Sequence, residues 1–160
     1  MPVNNEKIRI LFVCHGNICR SPMAEFIFKD LINKIGLADK FDVDSAAVSS
    51  EEIGNPVYPP AKKKLAEYGI SCKAKTAIQI KNSDYEKYDY IIAMEEYNIN
   101  RLKKIIPNDP DGKIKLLLDF TENPGDIDDP WYSGNFDITF DEILMGCKGI
   151  LKYLKDKNLL

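Results

Sequence analysis

Apolar positions along this chain fall into two kinds of pattern. The run Ile8-Arg9-Ile10-Leu11-Phe12-Val13 is almost wholly apolar, which suits a central parallel strand covered on both faces. A helical pattern follows over about residues 22–34, and Gly36 is a natural stop. Residues 41–46 read as a short second strand. Residues 61–68 read as a helix ended by Gly69, residues 84–87 as a turn or short helical piece, and residues 88–94 as a third strand. A helix over 95–104 runs up to Pro107, and residues 113–118 read as the fourth strand. From about 137 to 155, apolar Ile138, Ile143, Leu144, Cys147, Ile150, Leu151 and Leu154 recur at helical spacing, which predicts a long final helix. Two irregular stretches interrupt this order. Residues 49–60 carry three prolines and a glycine, and residues 120–135 are rich in Asp, Pro and Gly.

Strands alternating with helices predict an α/β fold: a single domain, residues 1–160, with a four-stranded parallel sheet and helices on both faces. No internal repeat, low-complexity segment or linker breaks it. Ligands in such sheets bind beyond the C-terminal ends of the strands, at the switch point.

Composition narrows the classes of function. The chain has 160 residues, enough for one sizeable core, and 44% of them are apolar. A formal net charge of −3 without a long Lys/Arg run argues against nucleic acid as a partner. Lys62-Lys63-Lys64 reads as a solvated helix face. No apolar stretch approaches the ~20 residues that span a bilayer. The polar start Met1-Pro2-Val3-Asn4-Asn5-Glu6 lacks a signal peptide's apolar region, so the expected localisation is cytoplasmic. Cys14, Cys19, Cys72 and Cys147 show no Cys-x2-Cys spacing and the chain has one histidine, so neither a metal site nor a cofactor is expected. In a reducing compartment these are thiols, and a disulfide among them is reactive rather than structural.

The chemistry concentrates in Cys14-His15-Gly16-Asn17-Ile18-Cys19-Arg20-Ser21-Pro22, between the first strand and the first helix. Such a loop gathers backbone N–H groups and the positive end of a helix dipole into one small space, a phosphate-binding arrangement. Arg20 offers a planar fork that fits two phosphate oxygens. Cys14 sits where those donors favour its thiolate, which is the nucleophilic form. The alternative is a buried structural Cys14 and an Arg20 at an ordinary helix cap.

The order Cys-x5-Arg-Ser is the signature of protein tyrosine phosphatases, and the longer string after a first strand resembles the low-molecular-weight members of that group. The resemblance covers essentially the whole chain. It implies a phosphotyrosine hydrolase that works through a phosphocysteine intermediate. Cys14 is then the nucleophile and Arg20 the phosphate clamp. The loop residues His15, Gly16, Asn17, Ile18 and Cys19 cradle the phosphate, and Asn17 takes an unusual backbone conformation. Ser21 supports the loop by hydrogen-bonding the Cys14 sulfur, and Ser45, at the end of the second strand, by hydrogen-bonding Asn17. A departing phenolate needs a proton. In the family an Asp-Pro followed by aromatics supplies it, and Asp129-Pro130-Trp131-Tyr132 matches, so Asp129 is the expected general acid and base. Its neighbour Asp128 would help keep it protonated, since two close carboxylates disfavour double ionisation. Trp131 and Tyr132 are expected pocket walls for an aromatic ring. The implied partners are phosphotyrosine-containing proteins or peptides, with phosphate and other oxyanions as inhibitors.

Three positions depart from the family's pattern. His15 stands where leucine is common, beside the nucleophile, and a histidine there brings a side chain able to carry positive charge. Lys75 and Ile78 replace a pair whose histidine braces the loop asparagine. Glu51 stands where many members place an aromatic wall, and with Glu52 it suggests an acidic rim. Arsenate reductases of this architecture need two further, closely spaced cysteines, which Cys72 and Cys147 do not provide. Protein-arginine phosphatases carry threonine where this loop has Ile18. A silent phosphotyrosine-binding module would lack the nucleophile or the acid.

Overall fold

The computed structural model describes residues 6–160; the polar stretch at residues 1–5, read above as free of an apolar leader, lies outside them. Four strands, β1 (Ile8–Cys14), β2 (Phe41–Ala47), β3 (Tyr90–Ala93) and β4 (Ile114–Leu116), form one parallel sheet in the order β2-β1-β3-β4. Among the described residues five α-helices accompany them: α1 (Arg20–Lys34), α2 (Pro59–Ala66), α3 (Glu96–Ile105), α4 (Pro130–Ser133) and α5 (Phe136–Asp156).

The alternation of β1 divides the core. Ile10, Phe12 and Cys14 join α1, α2 and α5 on one face, whereas Leu11 and Val13 join Leu102 and Ile106 at the end of α3 on the other. The sheet is therefore covered on both sides, as the apolar run of β1 demands. The final helix packs close: a Cβ on Gly149 would collide with the Phe120 carbonyl. That position is restricted to glycine by the approach of neighbouring backbone.

Element order agrees with the sequence reading, and several boundaries move. Helix α1 begins at Arg20, ahead of Pro22, because a proline in the first turn removes only an N–H that has no partner there. Helix α2 begins at Pro59, inside the stretch read as irregular, since proline's fixed φ suits a first helical position. The fourth strand is cut to Ile114–Leu116 and gives way to a 3-10 helix, Leu117–Phe120. The long loop over 120–135 contains the short helix α4.

Candidate active site

Strand β1 delivers Cys14 to the C-terminal edge of the sheet, flanked by β2 and β3. The loop after it turns at Asn17, whose φ of 60° lies in the left-handed region that asparagine tolerates. Every polar atom of the Asn17 side chain is engaged. Its Nδ2 donates to Ser21 Oγ at 2.7 Å and to Ser45 Oγ at 2.9 Å, and its Oδ1 accepts the Ile78 N–H at 3.2 Å. These contacts fix which way the amide points and, with Glu25, where the Ser45 hydroxyl proton goes. Ser21 Oγ accepts from Asn17 and lies within hydrogen-bonding distance of the Cys14 sulfur, 3.0 Å away. The N–H groups of Asn17 and Ser21 also donate to that sulfur, at 3.3 and 3.4 Å. Ser45 Oγ donates to Glu25 Oε1 at 2.6 Å.

Glu25 is 3% exposed, an expensive place for a carboxylate unless it is paired. Lys29 Nζ reaches it at 2.5 Å and Lys75 Nζ at 3.5 Å. Asn17 is therefore braced although Lys75 and Ile78 replace the family's pair. Ile78 contributes its backbone N–H, and Lys75 contributes a cation behind Glu25 and Ser45.

Arg20 is 1% exposed. Its Nη1 donates to the Ile127 carbonyl at 2.7 Å and pairs with Glu95, and its Nη2 lies 3.4 Å from Asp129 Oδ2. Burial works against its charge, but Cys14, Asp129 and Glu95 outweigh burial and push its pKa up. Asp129 caps helix α4, with Oδ1 accepting the Trp131 N–H at 3.0 Å. Its other oxygen is left facing Arg20. Asp128 is exposed and does not border the cavity. Burial, and then the Asp128 charge, push the Glu142 carboxyl up.

These groups enclose a cavity of about 160 Å³. Cys14, His15, Gly16, Ile18, Cys19 and Arg20 form its floor and sides, and Glu51, Glu52, Asp129, Trp131 and Tyr132 its rim. Asn17, Ser21 and Ser45 are fully buried and support the floor from behind. Trp131 is 50% exposed and Tyr132 86%, so both are open walls and neither is a core aromatic. His15 Nε2 lies 2.8 Å from Glu51 Oε2. Burial and the nearby Cys14 and Asp129 push the Cys19 thiol up, despite Arg20.

Three participants carried no sequence signal strong enough to single them out. Glu95 and Glu25 meet the site only through tertiary contacts. Tyr58 links the two loops: its N–H donates to the Ile18 carbonyl at 2.9 Å, and its ring packs on Trp131 with centroids 4.6 Å apart. Among the described residues no group of three or more His, Cys, Asp or Glu side chains is placed to hold a metal ion, and no helix is long and apolar enough to cross a membrane.

A doubly wound parallel sheet with an anion-type loop at the head of α1 defines the chain as an α/β protein built around that loop. Residues 9–159 match the family described as low molecular weight phosphotyrosine protein phosphatase. The chain is 43% identical over 155 residues to the low molecular weight protein-tyrosine-phosphatase YfkJ of Bacillus subtilis, covering 95% of this chain and 99% of that one. It is 38% identical to the low molecular weight phosphotyrosine protein phosphatase of Saccharomyces cerevisiae, over 95% of this chain and 98% of that one. The crystal structure of YfkJ from Bacillus subtilis superposes with a TM-score of 0.92 over 96% of this chain and 98% of that one, at 40% identity. The chain belongs to the low molecular weight phosphotyrosine protein phosphatase family.

Proposed function

We propose that this protein, as one catalytic domain over residues 1–160, hydrolyses phosphotyrosine in proteins or peptides through a phosphocysteine intermediate. The observation that carries the reading is the convergence of the Asn17 and Ser21 N–H groups and the Ser21 hydroxyl on the Cys14 sulfur, at a cavity that also holds Arg20 and Asp129. Cys14 thiolate attacks phosphorus in line while the bond to the tyrosine oxygen breaks. Asp129 gives its proton to that oxygen, and tyrosine leaves. Asp129, now a carboxylate, takes a proton from the water that displaces the cysteine sulfur and releases phosphate. Arg20 and the loop N–H groups hold the equatorial oxygens through both steps. Ser21 stabilises the sulfur as it departs. No metal or cofactor enters these steps.

Ile18, Trp131 and Tyr132 provide apolar walls for a ring, and a phosphoserine arm is too short to use them. Phosphate and similar oxyanions inhibit by occupying the same cradle. The setting that suits a reactive thiol is the reducing cytoplasm. The test is turnover of para-nitrophenyl phosphate and of phosphotyrosine, phosphoserine and phosphoarginine peptides. Wild type should prefer phosphotyrosine, Cys14→Ser should be inactive yet bind vanadate or phosphate, and Arg20→Lys should fail because an ammonium lacks the two-pronged contact. Turnover by Cys14→Ser, or a higher specificity constant for phosphoarginine, contradicts the proposal.

A further inference from the structure

A second cavity, of about 430 Å³, adjoins the first. The two share His15, Arg20, Glu51, Asp129 and Tyr132, so the second lies within reach of a peptide whose phosphorylated residue enters the first. What the second cavity adds comes from the start of α3 and the residue before it: Glu95, Tyr97 and Arg101. The carboxylates around it each have a basic side chain against them, with two of them sharing Arg20. Glu95 and Asp129 meet Arg20, and Glu51 meets His15. Arg101 has no such match among the described residues. Its Nη1 donates to the neutral Tyr97 hydroxyl at 3.3 Å, its guanidinium lies 5.8 Å from the centre of the Tyr97 ring, and its Nε is buried without a hydrogen-bond partner. A guanidinium carries five N–H donors in a planar fork suited to two oxygens of an acid. Arg101 is therefore the charged side chain of this lining that has no oppositely charged partner among the described residues, and it is half-buried and held by a ring.

We infer that this cavity is a subsite for an anionic side chain of the substrate, near the phosphotyrosine in sequence, with Arg101 as its partner. The inference rests on the phosphatase reading above and specifies its substrate class. Glu52 borders the catalytic cavity and not this one. The rim thus has two characters, acidic at Glu52 and basic at Arg101, and a substrate segment is read in one direction across it.

The experiment uses phosphotyrosine peptides in which each near flanking position in turn carries Glu, Gln, Lys or phosphoserine, with specificity constants measured at low salt. A charge-assisted contact at a half-buried site changes binding by roughly 5- to 30-fold. Wild type should favour Glu over Gln to about that extent at one flank, and Arg101→Gln should bring the ratio close to one. Arg101→Lys should retain part of the preference, and Arg101→Glu should turn it toward Lys peptides. A larger gain with phosphoserine than with Glu assigns the subsite to a second phosphate; a larger gain with Glu assigns it to a carboxylate. A wild type that shows no preference at any position overturns the inference, as does a ratio that survives in Arg101→Gln. Failure of wild type on para-nitrophenyl phosphate itself is a different result: it removes the phosphatase reading, and this inference with it.

Discussion

Lys75 holds the backbone of Ser45: its Nζ donates to the Ser45 carbonyl oxygen at 2.8 Å while also donating to the Asp44 carboxylate at 3.0 Å. Through Glu25 the same ammonium supports the Ser45 hydroxyl, which orients Asn17, which in turn orients Ser21 toward the Cys14 sulfur. A cation well outside the cavity therefore sets the position of a hydroxyl just behind its floor.

Lys75→Met should destabilise the protein by ~1–3 kcal/mol, because Glu25 stays buried with only Lys29 as a counter-charge. Turnover should fall by up to ~10²-fold, the cost of a small misplacement in a site that works by position. Lys75→Arg or Lys75→His should recover most of both, since either returns a donor or a cation. Thermal unfolding and steady-state kinetics on the three variants check this. Full activity in the Met variant would show that the loop needs no support from behind.

Much of this arrangement is legible in the sequence because it is local. The apolar run of β1, the loop from Cys14 to Arg20 and the helix after it are contiguous, so their order alone implies an anion cradle. Asp129 and Trp131 announce themselves through Pro130, which ends one conformation and starts a helix. The less legible parts are those that meet only in three dimensions. Glu95 precedes a helix like many acids do, and only the fold brings it to Arg20. Lys75 is one lysine among many, and its value lies in the distant Glu25. Element ends differ from the sequence pattern where Pro59, in the irregular stretch, begins α2, and where β4 gives way early to a 3-10 helix.

Cys14 and Cys19 share the loop but differ in character. Burial, with the Cys14 and Asp129 charges, raises the Cys19 pKa, so near neutral pH Cys19 is a thiol and is not the first target of peroxide. Peroxide should convert Cys14 to a sulfenic acid, and Cys19 sulfur should then displace water from it to form a disulfide that protects the nucleophile. Because the attacking form is the thiolate and its pKa is raised, closure should quicken steadily as pH rises above neutral. Cys19→Ser should carry Cys14 on to the sulfinic acid and make inactivation irreversible. Mass spectrometry after peroxide treatment checks it. A disulfide from Cys14 to Cys72 or to the fully buried Cys147 would contradict the scheme.

Asp129 and Asp128 are adjacent in sequence but face different neighbours. Pro130 restrains Asp129 to an extended conformation, observed as φ −77° and ψ 113°. One of its oxygens is fixed by the Trp131 N–H and the other faces Arg20 at 3.4 Å, on the rim of the cavity. Asp128 points to solvent, and its charge bears on Glu142. Only the group that protonates the leaving oxygen produces a dependence on leaving-group basicity. Asp129→Asn should therefore slow aryl phosphates of basic phenols most, by ~10²–10⁴-fold, and matter far less for activated phenols that depart without a proton. Asp128→Asn should give a small loss, within about the 0.5 kcal/mol usual for surface changes, and equal across the series. Rates for both variants across a series of substituted phenols decide it. A steep dependence appearing in Asp128→Asn and absent from Asp129→Asn would exchange the two roles.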